Sequence, residues 1–265
     1  MSAAADELGA QGWTVLRALR APRAIDGLIA SLDRLAAEVA SPVLYSEEDL
    51  VLADDVKVSP VGLTFFGLLG RAPELAGLCV EMDLVALLHE VLGPALELEQ
   101  VSGVISSDAR PFFFWHHHLG GIDGQDFRGD RAQLPRPPER IERLVCTIYA
   151  TALDHAHGQM LVHPRRVGDA LRAPCPPGRA PWPSAIALDA PSGSVVVLDE
   201  ATWHAVTPMT QPGLRHFFAF FVRRAGLPPN RRVDETIGAA LRADPRLAAV
   251  FEPARAREGA ARGRG

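Results

Sequence analysis

The stretch 193–224, GSVVVLDEATWHAVTPMTQPGLRHFFAFFVRR, reads as a buried strand, a turn, a histidine at position 204, a second loop, and a basic residue opening a strongly apolar strand. Upstream of it, LELEQVSGVISS, FFFWHHH, RLVCTIYATAL and GQMLVHP are also short and rich in β-branched or aromatic residues. Gly and Pro clusters separate them. Six strands with no long helices between them predict a sandwich or barrel over about residues 95–225.

The flanks read differently. In PRAIDGLIASLDRLAAEVASP the residues Ile25, Leu28, Ile29, Leu32, Leu35, Ala36 and Val39 recur at helical spacing, and Pro42 lies just past the end. Before this helix GWTVLRAL is a short strand candidate punctuated by Gly12, and after it RAPELAGLCV and MDLVALLHEVLG are two amphipathic pieces. The first 94 residues are therefore expected to be a helical flank. A C-terminal helix is expected at about 234–251, from DETIGAALRADPRLAAVF. The tail 254–265 lacks the apolar content to pack and reads as disordered. One domain over 1–253 accounts for these pieces. The proline-rich connection 164–183 is too long for a tight hairpin and is expected to be a lid over the barrel's open end.

Composition narrows the class of partner. Apolar residues make up 48% and charged ones 22%, and the net charge of −5 gives no reason to expect nucleic acid or an anionic membrane. Three scattered cysteines predict reduced thiols, no apolar run reaches the length of a membrane span, and the first residues carry acids where a signal peptide carries bases. A soluble cytoplasmic protein is expected.

The histidines carry the chemistry. If FFFWHHH is a strand, Phe112, Phe114, His116 and His118 share one face, while Phe113, Trp115 and His117 share the other. Two imidazoles at i and i+2 can converge on one metal ion; the competing reading is a histidine pair capping a strand end. A non-haem Fe(II) oxygenase needs three protein ligands on one face of an octahedron, leaving room for a chelating co-substrate and O2. Two ligands close in sequence plus a distant histidine, His204, would supply that face. A cation for the co-substrate's far carboxylate stands at Arg215, 11 residues after His204.

In the order and spacing of these motifs the chain resembles the phytanoyl-CoA dioxygenase family of Fe(II)- and 2-oxoglutarate-dependent oxygenases. That family folds as a double-stranded β-helix (jelly-roll, cupin-like) with flanking amino-terminal helices. The opening ADELGAQGWTVLRALRAPRAIDGLIASLDRL is similar to the family's first helix, strand and amphipathic helix. WHHH falls where the family has W-H-x-D, YATALDHAHGQMLVHPRR where it has a strand, an acidic turn, N-G and P-G-S-H, and 193–224 where it has the distal histidine and arginine. The resemblance implies iron ligands at His116 and His204 and a 2-oxoglutarate clamp at Arg215. It also implies a small-molecule substrate oxidised with O2.

The departures matter as much. His118 stands where the family's aspartate would, His157-Gly158 replaces N-G, and His163-Pro164-Arg165-Arg166 replaces P-G-S-H. A unit charge about 4 Å from the metal is worth roughly 4 kcal/mol at an effective dielectric near 20, so exchanging carboxylate for imidazole retunes the site strongly. His118 can be the third ligand, Asp123 can fold back through the Gly120-Gly121 turn to supply a carboxylate, or the site can be degenerate. The alternatives to a 2-oxoglutarate enzyme are a three-histidine dioxygenase without that co-substrate and a non-catalytic ligand-binding barrel. Tyr149 and Thr147 alternate along a probable inner strand and are candidates to hydrogen-bond the co-substrate, with core packing as their plainer role. Trp115 and Trp203 are expected to pack beneath the site, and Arg165, Arg166, Arg172 and Arg179 are candidates to greet an anionic substrate.

Overall fold

The computed structural model describes residues 1–39, 43–119, 138–176, 178, 180–229 and 234–253. In chain order these form α1 (Ala3–Gln11), β1 (Trp13–Leu16), α2 (Pro22–Val39), β2 (Leu50–Ala53), β3 (Val56–Ser59), β4 (Gly62–Phe66) and α3 (Leu68–Arg71). A 3-10 turn (Pro73–Cys79), α4 (Met82–Leu92), β5 (Leu96–Ser107), β6 (Phe113–His116), β7 (Arg143–Tyr149) and β8 (Met160–Val162) follow. The chain continues through β9 (Ile186–Ala187), β10 (Val195–Asp199), β11 (His204–Val206), β12 (Leu214–Arg224), α5 (Thr236–Ala243), α6 (Pro245–Ala248) and β13 (Phe251–Pro253).

Among the described residues the strands make two sheets. The larger runs β1-β10-β7-β12-β5-β4-β3-β2, with β13 added in parallel beside the start of β5; the smaller runs β6-β11-β8-β9. Period-two alternation divides the large sheet's side chains between two cores. Leu144, Cys146 and Ile148 of β7 and Phe218, Phe220 and Val222 of β12 face the helices. Val145 and Tyr149, with Phe217, Ala219 and Phe221, face the small sheet, where they meet Met160 and Val162. The expected double-stranded β-helix is thus present, with its interior between the sheets.

The helices close the outer face. Pro22 begins α2 with its φ already set for a helix, and Ile25, Leu28, Leu32 and Leu35 from its apolar stripe are all buried. Each contributes about 1.5–3 kcal/mol of burial. Ser2 caps α1 through its hydroxyl, and Gly12 ends it at φ +85°. The Gly12 carbonyl accepts hydrogen bonds from the Asp199 amide (2.9 Å) and the Thr202 hydroxyl (2.8 Å), so the end of α1 is tied to the turn that leads into His204.

Four expectations change. The flank expected to be helical over 1–94 also contributes β2, β3 and β4, which extend the large sheet beyond β5. The single helix expected at 234–251 is broken, because Pro245 cannot continue α5 and Asp244 instead caps α6 by accepting from the Arg246 amide at 2.9 Å. Phe251 then pairs with Leu96 as a strand. The connection 164–183 is a buttress, since Trp203 Nε1 donates to Leu171 O (2.9 Å), Trp115 Nε1 to Ala180 O (3.0 Å) and Trp182 Nε1 to Pro176 O (3.4 Å). With Trp182 stacked on Trp115 at 4.0 Å, its described residues cover the small sheet's back. Finally, β6 carries a bulge: His116 pairs with His204, but Phe113 pairs with Val206. The extra residue turns Phe113 toward the interior and Phe112 outward, reversing the phase expected for those two while keeping His116 inside. The tail 254–265 lies outside the described residues.

Candidate metal centre

His116 and His204 end and begin strands that pair with each other, directly opposite one another in register. Their rings lie 4.0 Å apart between centroids. His118 follows just past the end of β6, anchored by its amide, which donates to the Glu200 carbonyl at 2.8 Å. Its ring stands 4.9 Å from that of His204 and 5.3 Å from that of His116. One ring nitrogen from each of the three lies within 4.8 Å of the others. Nitrogens bound to one ion at about 2.1 Å are at most about 4.2 Å apart, so the cluster is close to the span of a single metal. Among the described residues this is the one such group of histidine, cysteine and acidic side chains.

The tautomers are set by the backbone. His116 Nδ1 lies 3.0 Å from Phe114 O, and His204 Nδ1 lies 2.9 Å from Thr202 O. With Nδ1–H donating to the carbonyl two residues back, Nε2 of each ring carries the lone pair a metal needs, which is the usual outer support of a metal-binding histidine. Burial pushes both imidazoles below their ordinary value, His204 to about 4 and His116 also well down, with the neighbouring His204 as its second cause. They are neutral, and so able to ligate, throughout the physiological range.

The histidines open into a cavity of about 790 Å³ between the sheets. Arg215, Tyr149 and Thr147 line the same cavity, so the structure brings together every described residue expected at the site. Asp123, the alternative third ligand, lies outside the described residues, as does Arg179. Arg215 is 1% exposed. Its Nη1 donates to Gly158 O at 3.0 Å, its guanidinium stands 6.0 Å from the Tyr149 ring centroid and 5.8 Å from that of Phe217, and its Nε has no hydrogen-bond partner among the described residues. Burial lowers its pKa, while burial raises that of Tyr149 against the pull of Arg215 and Arg110. Gly158 takes φ +83°, and a Cβ there would lie 2.7 Å from Thr207 O and 3.4 Å from Arg215 Nη1, so only glycine lets this carbonyl reach the guanidinium.

Other expectations sort by face. Trp115 and Trp203 pack behind the small sheet, as expected, and His117 stands edge-on to Trp203 at 4.6 Å, outside the cluster. Arg165 is buried against Asp199 (3.2 Å), and Arg166 and Arg172 are exposed and line no part of the cavity. The sequence reading missed two features. The β2–β4 segment supplies Val51, Val56, Val61 and Phe66 to the cavity wall, a role its alternating VKVS and GLTFF could have signalled. Arg110, 1% exposed, sits where the sequence runs ARPFFFW; a lone arginine at the head of an aromatic strand was the available sign.

No family model matches the chain, and no curated protein matches it. Solved structures do. The non-haem α-ketoglutarate-dependent carbocyclase SnoK from nogalamycin biosynthesis is 16% identical, with a TM-score of 0.64 over 98% of this chain and 94% of that one. EctD from S. alaskensis with 2-oxoglutarate and 5-hydroxyectoine is 16% identical, with a TM-score of 0.62 over 89% and 81%. HygX from Streptomyces hygroscopicus with nickel, 2-oxoglutarate and hygromycin B is 16% identical, with a TM-score of 0.61 over 86% and 89%. These likenesses establish the jelly-roll fold. Among the described residues no helix is long and apolar enough to cross a membrane.

Proposed function

We propose that the protein is an Fe(II)- and 2-oxoglutarate-dependent oxygenase that hydroxylates or otherwise oxidises a small molecule. The observation that carries this reading is one cavity lined both by three converging imidazoles and by a buried arginine that has no carboxylate partner among the described residues. The residues fit the absent groups. His116 and His204 offer Nε2 because their Nδ1 atoms are engaged, and Arg215 keeps an orphaned Nε in a site where a bidentate carboxylate would be strongly held. A three-histidine dioxygenase without 2-oxoglutarate leaves Arg215 without a purpose. Nickel and 2-oxoglutarate in HygX, and 2-oxoglutarate in EctD, support the same assignment by analogy of fold.

In this reading His116, His118 and His204 hold the metal, Arg215 orients the far carboxylate of the co-substrate, and Tyr149 and Thr147 border it. Iron, when bound, supplies the open coordination positions and the oxidising power for O2 chemistry. The chain supplies orientation and dryness. Phe113, Met160, Val206, Phe217 and Phe221 line the cavity with apolar surface, excluding water from the reacting carbon. Unbridged Cys79, Cys146 and Cys175 support a reducing, cytoplasmic setting.

Anaerobic addition of Fe(II) and then 2-oxoglutarate to the metal-free protein tests the reading. A visible metal-to-ligand charge-transfer band is expected on the second addition. Its absence, with iron bound, would overturn the 2-oxoglutarate assignment. His118→Ala and Asp123→Ala then identify the third ligand: loss of metal in the first alone supports three histidines, and loss in the second alone supports the carboxylate.

A further inference from the structure

Beside Arg215, at the arginine end of the cavity but not lining it, stands a second buried guanidinium, that of Arg110. Arg110 Nη2 donates to Thr207 O at 2.9 Å and Nη1 to Pro111 O at 3.1 Å, while its Nε is buried without a partner among the described residues. Thr207 O is the same carbonyl that a Cβ on Gly158 would strike, and the Gly158 carbonyl holds Arg215 Nη1. The two guanidiniums therefore converge on one corner, Arg110 through Thr207 and Arg215 through Gly158. Neither meets a carboxylate among the described residues. Ser106 adds a third orphan: it lies opposite Arg215 in register on β5, fully buried, and its hydroxyl has no partner among the described residues. Residues directly opposite on paired strands start about 5 Å apart and share a face.

Two like charges and an unused hydroxyl in one dry corner are costly unless an anion completes them. We infer that Arg110 is a positioning residue of the anion subsite, a second cation that, with Ser106, lets Arg215 bind a terminal carboxylate before and independently of the metal. Arg110 acts through charge and through Arg215, since both of its Nη atoms are already committed to backbone carbonyls. Burial first, then the Arg215 charge, pulls its pKa down to about 9, which leaves it cationic at neutral pH. The same residue clips the segment before β6 to the segment after β11, the strands that carry His116 and His204. The inference rests on the oxygenase reading only in naming 2-oxoglutarate as the natural occupant.

The probe is glutarate, a dicarboxylate of the same length that lacks the 2-oxo group needed to chelate a metal. Calorimetric titration of the full-length, metal-free protein should show glutarate binding. Arg110→Gln, which keeps a donor and removes the charge, should weaken that binding about tenfold or more, and Arg110→Lys should stay within about threefold of wild type. Nickel affinity at the histidines, measured alongside, should be unchanged in Arg110→Lys. Wild-type protein that does not bind glutarate would overturn the inference. So would Arg110→Gln binding like wild type, or the two variants weakening equally, since either makes Arg110 a brace alone. If Arg110→Gln does not fold, a tenfold loss in folded Arg110→Lys is the overturning result. The oxygenase reading fails separately: an absent charge-transfer band beside intact, charge-dependent glutarate binding would remove the iron chemistry and leave the anion subsite standing.

Discussion

One strand carries two buried arginines that meet opposite fates. β12 has Arg215 near its start and Arg223 near its end, both on the inner face and each 1% exposed. Arg223 donates Nε to Glu97 (2.7 Å) and Nη1 to Glu99 (2.9 Å), and Arg143 on the neighbouring β7 donates Nη1 to Glu99 at 2.7 Å. Two carboxylates there answer two guanidiniums. At the other end Arg215 and Arg110 are answered by backbone carbonyls alone among the described residues. The first pair belongs to the folded chain's own charge balance. The second pair completes that balance only with a ligand, so removing charge should act in opposite directions at the two ends.

The largest effect is expected where the balance is internal. Glu99→Gln keeps the shape of the side chain but leaves Arg143 and Arg223 facing Glu97 with one charge too few. Breaking a buried pair in this way costs about 3–5 kcal/mol. Chemical denaturation should show the loss, and an unchanged midpoint would mean that the cluster is solvated or compensated and that the contrast between the two ends is false.

At the ligand end the same kind of change should leave the fold intact. Arg215→Met removes an unanswered buried charge, so the ligand-free protein should be as stable as wild type or more so. Its affinity for 2-oxoglutarate should fall by roughly two to three orders of magnitude, at about 1.4 kcal/mol per decade, while the metal still binds. Calorimetry and thermal melting together check both halves. Unchanged co-substrate affinity would favour an enzyme that uses none.

The histidine cluster between these ends gives a prediction in pH. An imidazole depressed in the folded state contributes stability that is present above its unfolded value of 6.5 and lost as pH falls. With His204 near 4, metal-free protein should lose stability between about pH 6.5 and 4, by about 3 kcal/mol from that residue. His204→Asn should flatten this slope. A wild-type profile already flat over the window would mean that the cluster is open to water.

How much of this was legible beforehand follows from what each residue's environment requires. The inner strands and α2 were readable because β-branched runs and a helical stripe are local patterns; alternation put Thr147 and Tyr149 on one face of an inner strand, while Arg215 came from its spacing after His204. His116 followed from its i, i+2 spacing with His118, and His204 from the order of the motifs along the chain. The β2–β4 segment was missed because Asp54, Asp55 and Pro60 interrupt its alternation, and its strand character comes from pairing with β5. The connection 164–183 suggests a lid because its prolines and arginines look solvated, whereas two tryptophan N–H groups from distant positions, Trp115 and Trp203, and a third from its own Trp182 hold it. For Arg110 the sequence offers only its place at the head of an aromatic strand, since its role depends on Thr207 and Gly158 arriving beside it.

The smallest effect is expected at His117, and it tests the phase of the strand on which the site depends. The bulge in β6 lies before His116, so alternation from His116 onward places His117 on the outer face, and its ring stands edge-on to Trp203 rather than toward the cavity. His117→Ala should therefore change nickel or Fe(II) affinity by less than about threefold and cost about 1 kcal/mol of stability through lost contact with Trp203. His116 sits one residue away with the opposite orientation, so a second bulge between them would turn His117 inward and His118 outward, exchanging the roles of those two. A His117→Ala protein that loses its metal while His118→Ala keeps it would establish that exchange, and the anion subsite would then have to be measured from a different face of the barrel.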